Sequence, residues 1–202
     1  MTTRVTLISA ASSRALREAR FDDGCPADAA GLRLARAAAG TLTARGEVWV
    51  SPSARCRDSA GALGLDAVEV AALAGLDVGR WRGATLDEVG AREPDAVVRW
   101  LADPKAAPHG GESVRDLCDR VAGRLDAAAQ LSGRVIAVVE PEVVRAAVVR
   151  ALGVPETAFW RIDVPPLTAT ELSGRADRWN VRVGRPLTGV EADRDGSGTE
   201  AG

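Results

Sequence analysis

The chain has one histidine, His109, in 202 residues. It has three cysteines, Cys25, Cys56 and Cys118, widely separated, odd in number and without a C-x-x-C pair. This excludes a disulfide framework and leaves no cluster of soft or imidazole ligands for a metal. Free thiols of this kind fit a reducing cytosol. No apolar run approaches the ~18 residues that would span a bilayer, and no secretory h-region follows Met1. A cytoplasmic protein without membrane association is therefore expected. An excess of basic charge is also missing. Lysine and arginine number 26 against 28 acids, the net charge is -2 and the pI is about 5.6. The basic residues are scattered along the chain, which argues against a nucleic-acid partner. There is no internal repeat. Beyond about Leu187 apolar residues become sparse, so residues 188–202 are expected to form a disordered tail behind one domain, 1–187.

What remains is ample for a core: 46% of residues are hydrophobic. Short β-branched or apolar runs predict strands at Arg4–Ser9, Glu47–Val50, Thr168–Leu172 and Arg178–Val183. Val135–Val139 (VIAVV) is the strongest strand signal, continuous enough to be buried on both faces. Periodicity of three to four predicts helices at 28–39, 54–63, 95–101, 113–131 and 142–152, with Gly153 ending the last. Thr85 ahead of Asp87 and Glu88 predicts another helix start. The stretch 67–73 is ambiguous, with strand preferred at its beginning. Strands alternating with helices define an α/β fold with a mostly parallel central sheet and helices on both faces. Ligands of such sheets bind beyond the carboxyl ends of the strands. The loops after Ile8, Val50 and Val139 are then the places to look for chemistry.

Four motifs in order carry a resemblance. Ser51-Pro52-Ser53-Ala54-Arg55-Cys56-Arg57-Asp58-Ser59-Ala60 is similar to S-P-x-x-R-A-x-Q-T-A. Gly79-Arg80-Trp81-Arg82-Gly83 with Thr85-Leu86-Asp87-Glu88 is similar to G-x-W-x-G followed by T-x-x-E. Pro108-His109-Gly110-Gly111-Glu112-Ser113 resembles a P-G-G-E-S loop. Val144-Arg145-Ala146 and Leu152-Gly153-Val154-Pro155 resemble a helix reading V-I-R-A and ending L-G-x-P. Together they resemble the histidine phosphatase (phosphoglycerate mutase-like) superfamily, from about Arg4 to Val183, and imply its three-layer α/β sandwich. Phe159-Trp160-Arg161-Ile162 and Arg178-Trp179-Asn180 look like an actinobacterial branch.

The resemblance also shows departures. The family's first strand ends in R-H-G, and Ser9-Ala10-Ala11 stand there. The family's second histidine aligns with Glu140, followed by Pro141 and Glu142. Its acid aligns with Gly75, with Asp77 two positions away. Of the core constellation Arg55 survives. A phosphohistidine mechanism needs a nitrogen nucleophile and cations around the transferred group. Alanine at position 10 supplies neither, and Glu140 and Glu142 turn the pocket acidic. This implies a catalytically degenerate site that prefers a non-phosphorylated small molecule, with no metal or cofactor called for.

Two readings follow. In one, Glu140 is a general acid or base and Arg55 orients the ligand, for an isomerisation, cyclisation or elimination in specialised metabolism. In the other, Glu140 pairs with Arg55 and the protein binds or regulates without turnover. Residual phosphatase activity by a displaced mechanism is a weaker third. Ser9, Ala10, Trp81, His109, Glu112 and Glu142 are candidates for lining the pocket. Each also has a plain structural reading: buried packing for Trp81, a loop role for His109, a helix-start carboxylate for Glu112 and Glu142. Dimers are common in this family, so a homodimer is possible.

Overall fold

The computed structural model describes residues 2–42, 46–130, 133–175 and 178–187. Among the described residues six strands form one sheet: β1 (Thr3–Ser9), β2 (Glu47–Val50), β3 (Val68–Glu69), β4 (Arg134–Val139), β5 (Thr168–Arg175) and β6 (Arg178–Pro186), in the order β3-β2-β4-β1-β5-β6. Pairs β3·β2, β2·β4 and β4·β1 are parallel, while β5 is antiparallel to both of its neighbours. Five strands therefore share one direction. β4 lies between two parallel partners, and Val135 to Val139 are all buried. That is why its sequence is apolar at every position rather than at alternate ones.

The helices are α1 (Arg14–Arg17), α2 (Ala29–Ala37), α3 (Ala54–Ala62), α4 (Leu86–Arg92), α5 (Pro94–Ala102), α6 (Val114–Gln130) and α7 (Pro141–Leu152). None of the described helices is long and apolar enough to cross a membrane. One face of the sheet packs on α6 and α7, through Val5, Leu7, Val135, Leu117, Val121 and Val144. The other packs on α2 and α3, through Ile8, Val50, Val138, Ala35 and Ala60. Strict alternation along β1 sends Val5 and Leu7 one way and Ile8 the other. The ambiguous stretch resolves as β3 at its start and a 3₁₀ turn at Ala71–Leu73. The tail expected at 188–202 lies outside the described residues.

Helix ends follow their sequence signals. Thr85 and Glu88 form a reciprocal capping box at α4. Gly153 adopts φ 62° and closes α7 in the left-handed conformation that a side chain disfavours. Glycine also permits one backbone-to-backbone crossing that shapes the site. A Cβ on Gly111 would sit 2.1 Å from the Asp77 carbonyl oxygen. The two loops are stitched there by Glu112 N–H to Asp77 O at 2.8 Å and Arg80 N–H to His109 O at 3.1 Å.

Candidate functional site

A cleft of about 420 Å³ opens at the carboxyl ends of β2 and β4. Its charged lining is Asp22, Asp77, Glu140 and Glu142 with Arg57 and Arg82. A smaller cavity of about 120 Å³ adjoins it, sharing Asp22 and Glu142 and reaching Arg55 and Arg145. Glu140 lines only the larger space and Arg55 only the smaller, so the pair of side chains forms a wall between them.

Local structure fixes that wall. β2 ends at Val50, and Ser53 caps α3 by accepting the Cys56 N–H at 3.1 Å. This puts Arg55 in the first turn, facing β4. β4 ends at Val139, and Glu140 is the residue before Pro141, the first residue of α7. Proline there fixes the entry angle and needs no hydrogen-bond acceptor for its nitrogen. The Glu140 carboxylate meets the Arg55 guanidinium as an ion pair, with Arg55 6% and Glu140 3% exposed. Ser53 Oγ donates to Glu140 Oε1 at 2.6 Å, and Arg55 Nε approaches the same oxygen at 3.5 Å. Burial pushes the Cys56 thiol up to about 11, so it stays protonated and donates to Oε1 at 3.4 Å. Both carboxylate oxygens are therefore engaged by protein donors. A Cβ at Gly75 would press on Glu140 Cγ at 3.1 Å, so the glycine makes room for this stem.

Of the residues singled out from the sequence, Glu140, Glu142 and Arg55 reach the cavities. The other five do not line either, and each has a structural employment. Ser9 is fully buried. Its hydroxyl donates to Pro165 O at 2.5 Å and accepts the Thr168 N–H at 3.0 Å, tying β1 to the approach of β5. Ala10 is 1% exposed and donates its N–H to Val139 O, within the sheet. Glu112 makes a two-pronged pair with Arg120, at 2.9 and 2.7 Å, instead of capping the following helix. Arg120 in turn holds the Ala72 and Ala74 carbonyls, bracing the loop on the cleft's far side. Arg145 donates to Ile162 O at 2.8 Å, an inter-element contact.

Trp81 and His109 belong to a buried aromatic cluster. Trp81 is ringed by Phe21 at 5.6 Å, Trp100 at 5.4 Å and His109 at 5.1 Å between centroids. His109 is 1% exposed, accepts the Gly111 N–H on Nδ1 at 3.0 Å, and has no partner at Nε2 among the described residues. That bond fixes the neutral tautomer with its proton on Nε2. Burial lowers its pKa below the ordinary 6.5, Asp77 opposes the shift and Arg80 adds to it. Protonation is thus favoured in the unfolded chain, which binds more protons as pH falls through 6.5. Stability held by neutral His109 is present above that value and is lost below it. In urea titrations between pH 7.5 and 5, His109→Phe is expected to flatten the acid-side decline. An unchanged slope would mean that His109 is not the group responsible.

The residues missed by sequence reading are Asp22, Arg57 and Arg82. Nothing in their spacing marks them. Asp22 lies in the loop after α1, Arg57 on the exposed side of α3, and Arg82 inside the G-x-W-x-G stretch, and only folding brings them to one rim.

Six strands in this order, helices on both faces, and a cleft beyond β2 and β4 define a phosphatase-type α/β sandwich. The chain belongs to the histidine phosphatase superfamily (branch 1), which it matches over residues 15–184. A bifunctional protein of Mycobacterium tuberculosis is 41% identical over 98 residues, covering 45% of this chain and 27% of that relative. The chain thus matches about a quarter of the length of that larger protein. Among solved structures, mycobacterial hydrolase 1 superposes with a TM-score of 0.79 at 25% identity, over 92% of this chain and 99% of that one. A mycobacterial glucosyl-3-phosphoglycerate phosphatase gives 0.79 at 22% identity over 92% and 100%, a likeness of fold.

Proposed function

We propose that this member of the superfamily does not run phosphohistidine chemistry and instead binds a small, non-phosphorylated ligand in the 420 Å³ cleft, without turnover. The buried Arg55–Glu140 pair carries the reading. A general acid or base must exchange a proton with substrate at a free oxygen. Both Glu140 oxygens are taken by Arg55, Ser53 and Cys56, and the one arginine of the expected constellation is neutralised by the same pair. This favours a binding or regulatory role over the acid–base step in specialised metabolism that the sequence also allows. Position 10 offers an alanine methyl, and His109 is committed to the aromatic cluster.

Four carboxylates against two guanidiniums line the cleft. A phosphate held ~6 Å from one unpaired carboxylate would be repelled by about 3 kcal/mol at an effective dielectric of ~20. An ammonium- or amidinium-bearing ligand is attracted there instead, by an energy of similar size and opposite sign. The test is twofold. No hydrolysis of p-nitrophenyl phosphate and no acid-labile phosphoenzyme should be detected with the purified protein. A thermal-shift panel should respond to amines and amino acids rather than to sugar phosphates. Phosphate-ester turnover that disappears in His109→Ala would overturn the proposal in favour of a displaced mechanism.

A further inference from the structure

Away from the cleft, α2 and α3 cover the carboxyl-end half of one sheet face, around Ile8, Val138, Ala35 and Ala60. Toward the amino end of β1 the same face carries two adjoining grooves of about 360 and 260 Å³. They share Arg4, Thr6 and Glu171 with each other, and no residue with the cleft or the smaller cavity beside it. Register sets their composition. Across β4, β1, β5 and β6 one row reads Arg134, Arg4, Ser173 and Asn180, and the next reads Ile136, Thr6, Glu171 and Arg182. Partners in register project to one face, and neighbouring strands lie about 4.8 Å apart, so each row spans about 14 Å.

Charge on these rows is unbalanced. Arg4, Arg134, Arg182 and Arg185 are exposed and line the grooves. Glu171 is the one carboxylate lining either groove among the described residues, and it pairs with Arg185 at 3.2 Å. Arg4 and Arg134 are Cα partners on parallel strands, two like charges directly opposite each other, which destabilises a sheet. An anion between them removes that repulsion. Ser173 and Asn180 continue the row with neutral hydrogen-bonding groups. Guanidiniums grip phosphate oxygens in pairs, which suits arginine and not lysine to such a ligand. The whole chain carries a net charge of -2, so a long polyanion is repelled beyond the patch while a compact one meets only the arginines.

We propose that this arginine-lined sheet face binds a compact, soluble ligand bearing two or more adjacent phosphate groups. One group lies between Arg4 and Arg134, and another reaches Arg182, with Ser173 and Asn180 donating to oxygens along the way. Strand spacing and rise put the Arg4 and Arg182 backbones about 12 Å apart, a gap that two arginine side chains and linked phosphates close. Glu171 opposes the same ligand, and Arg185 blunts that opposition by pairing with it. The contacts are exposed, so binding weakens as salt shortens the ~10 Å screening length at 0.1 M. The site is independent of what the cleft binds.

The test is calorimetric titration of the full chain with inorganic tripolyphosphate at low salt. Saturable binding is expected, with orthophosphate at least ~10-fold weaker because it makes fewer charge-assisted contacts. R4Q/R134Q should weaken tripolyphosphate binding at least ~10-fold. E171Q removes the opposing carboxylate and frees Arg185, so it should tighten binding ~3-fold or more. R92Q/R99Q, the same loss of charge on α4 and α5, should leave it unchanged. Without the probe R4Q/R134Q should melt no lower than wild type, since a like-charge pair is removed. Equal weakening in R92Q/R99Q and R4Q/R134Q would mean diffuse attraction and overturn the proposal. Absence of saturable binding, or orthophosphate binding as tightly as tripolyphosphate, would overturn it as well. Tighter binding to phosphatidylglycerol vesicles than to tripolyphosphate would replace the soluble ligand with a membrane surface.

Discussion

Glu140→Ala is expected to cost about 3–5 kcal/mol of stability, because it leaves the Arg55 guanidinium buried without its partner. The magnitude follows from asymmetry. Removing both charges spares the desolvation of both, whereas removing one abandons the other at 6% exposure. Arg55→Met/Glu140→Leu should therefore lie within about 1–2 kcal/mol of wild type, on either side. Urea denaturation of wild type, both single variants and the double variant gives the coupling directly. If Glu140→Ala costs under ~1 kcal/mol, the pair is hydrated and the wall between the two cavities is not a fixed part of the fold. The same variant informs function. With Glu140 gone, Arg55 becomes a free cation between cavities of about 420 and 120 Å³, and inorganic phosphate should bind more tightly than to wild type.

Trp81→Ala is expected to destabilise by about 3–5 kcal/mol, the range for emptying a large aromatic site in a core that only partly collapses. Trp81 is 1% exposed and touches Phe21, Trp100 and His109. The contacts with Trp100 and His109 are edge-to-face, and aromatic pairs of this kind add about 0.5–1.5 kcal/mol each beyond burial. Among the described residues Trp81 Nε1, Trp100 Nε1 and His109 Nε2 are buried without a hydrogen-bond partner, and the Trp100 ring meets those of Trp81 and His109 edge-on. Trp81→Phe keeps much of the apolar volume and should cost less than half as much. The fluorescence-monitored melting of both variants checks this. Equal losses would mean that the indole N–H, rather than ring volume, sets the energy. Emptying the site also admits water to His109, so the acid-side decline of stability should weaken in Trp81→Ala.

The architecture was largely legible in the sequence because backbone chemistry and burial leave local marks. The unbroken apolar run at 135–139 predicts a strand with neighbours on both sides, and β4 has them. Thr85, Glu88 and Gly153 mark helix ends where they are found. Boundaries drifted by a residue or two where ends fray, and β5 and β6 run further than expected, since Ser173 and Gly174 in β5 and Gly184 and Arg185 in β6 are strand residues with little hydrophobic signal.

The position of the candidate cleft was legible in the sequence, and the contacts within it were not. Chain order placed Glu140 and Arg55 at adjacent strand ends, but a sequence cannot say whether two opposite charges face a ligand or each other. That depends on a few ångströms of helix placement, and here Ser53, Cys56 and Gly75 set it. Ser9, Ala10, Trp81, His109 and Glu112 sit close to motif positions, yet packing claims all five. The arginines of β1, β4 and β6 read as scattered along the chain and converge only through strand order and register.

The sequence by itself determined the α/β class, the strand-end location of the cleft, and the lack of a histidine at positions 10 and 140. Each follows from residue identity and short-range periodicity. Only the tertiary structure decided that Glu140 and Arg55 neutralise each other, that His109 is a core residue, and that one sheet face is cationic. Charge pairing, desolvation and face-sharing depend on distances between residues far apart in the chain, and those distances exist only once the sheet has formed.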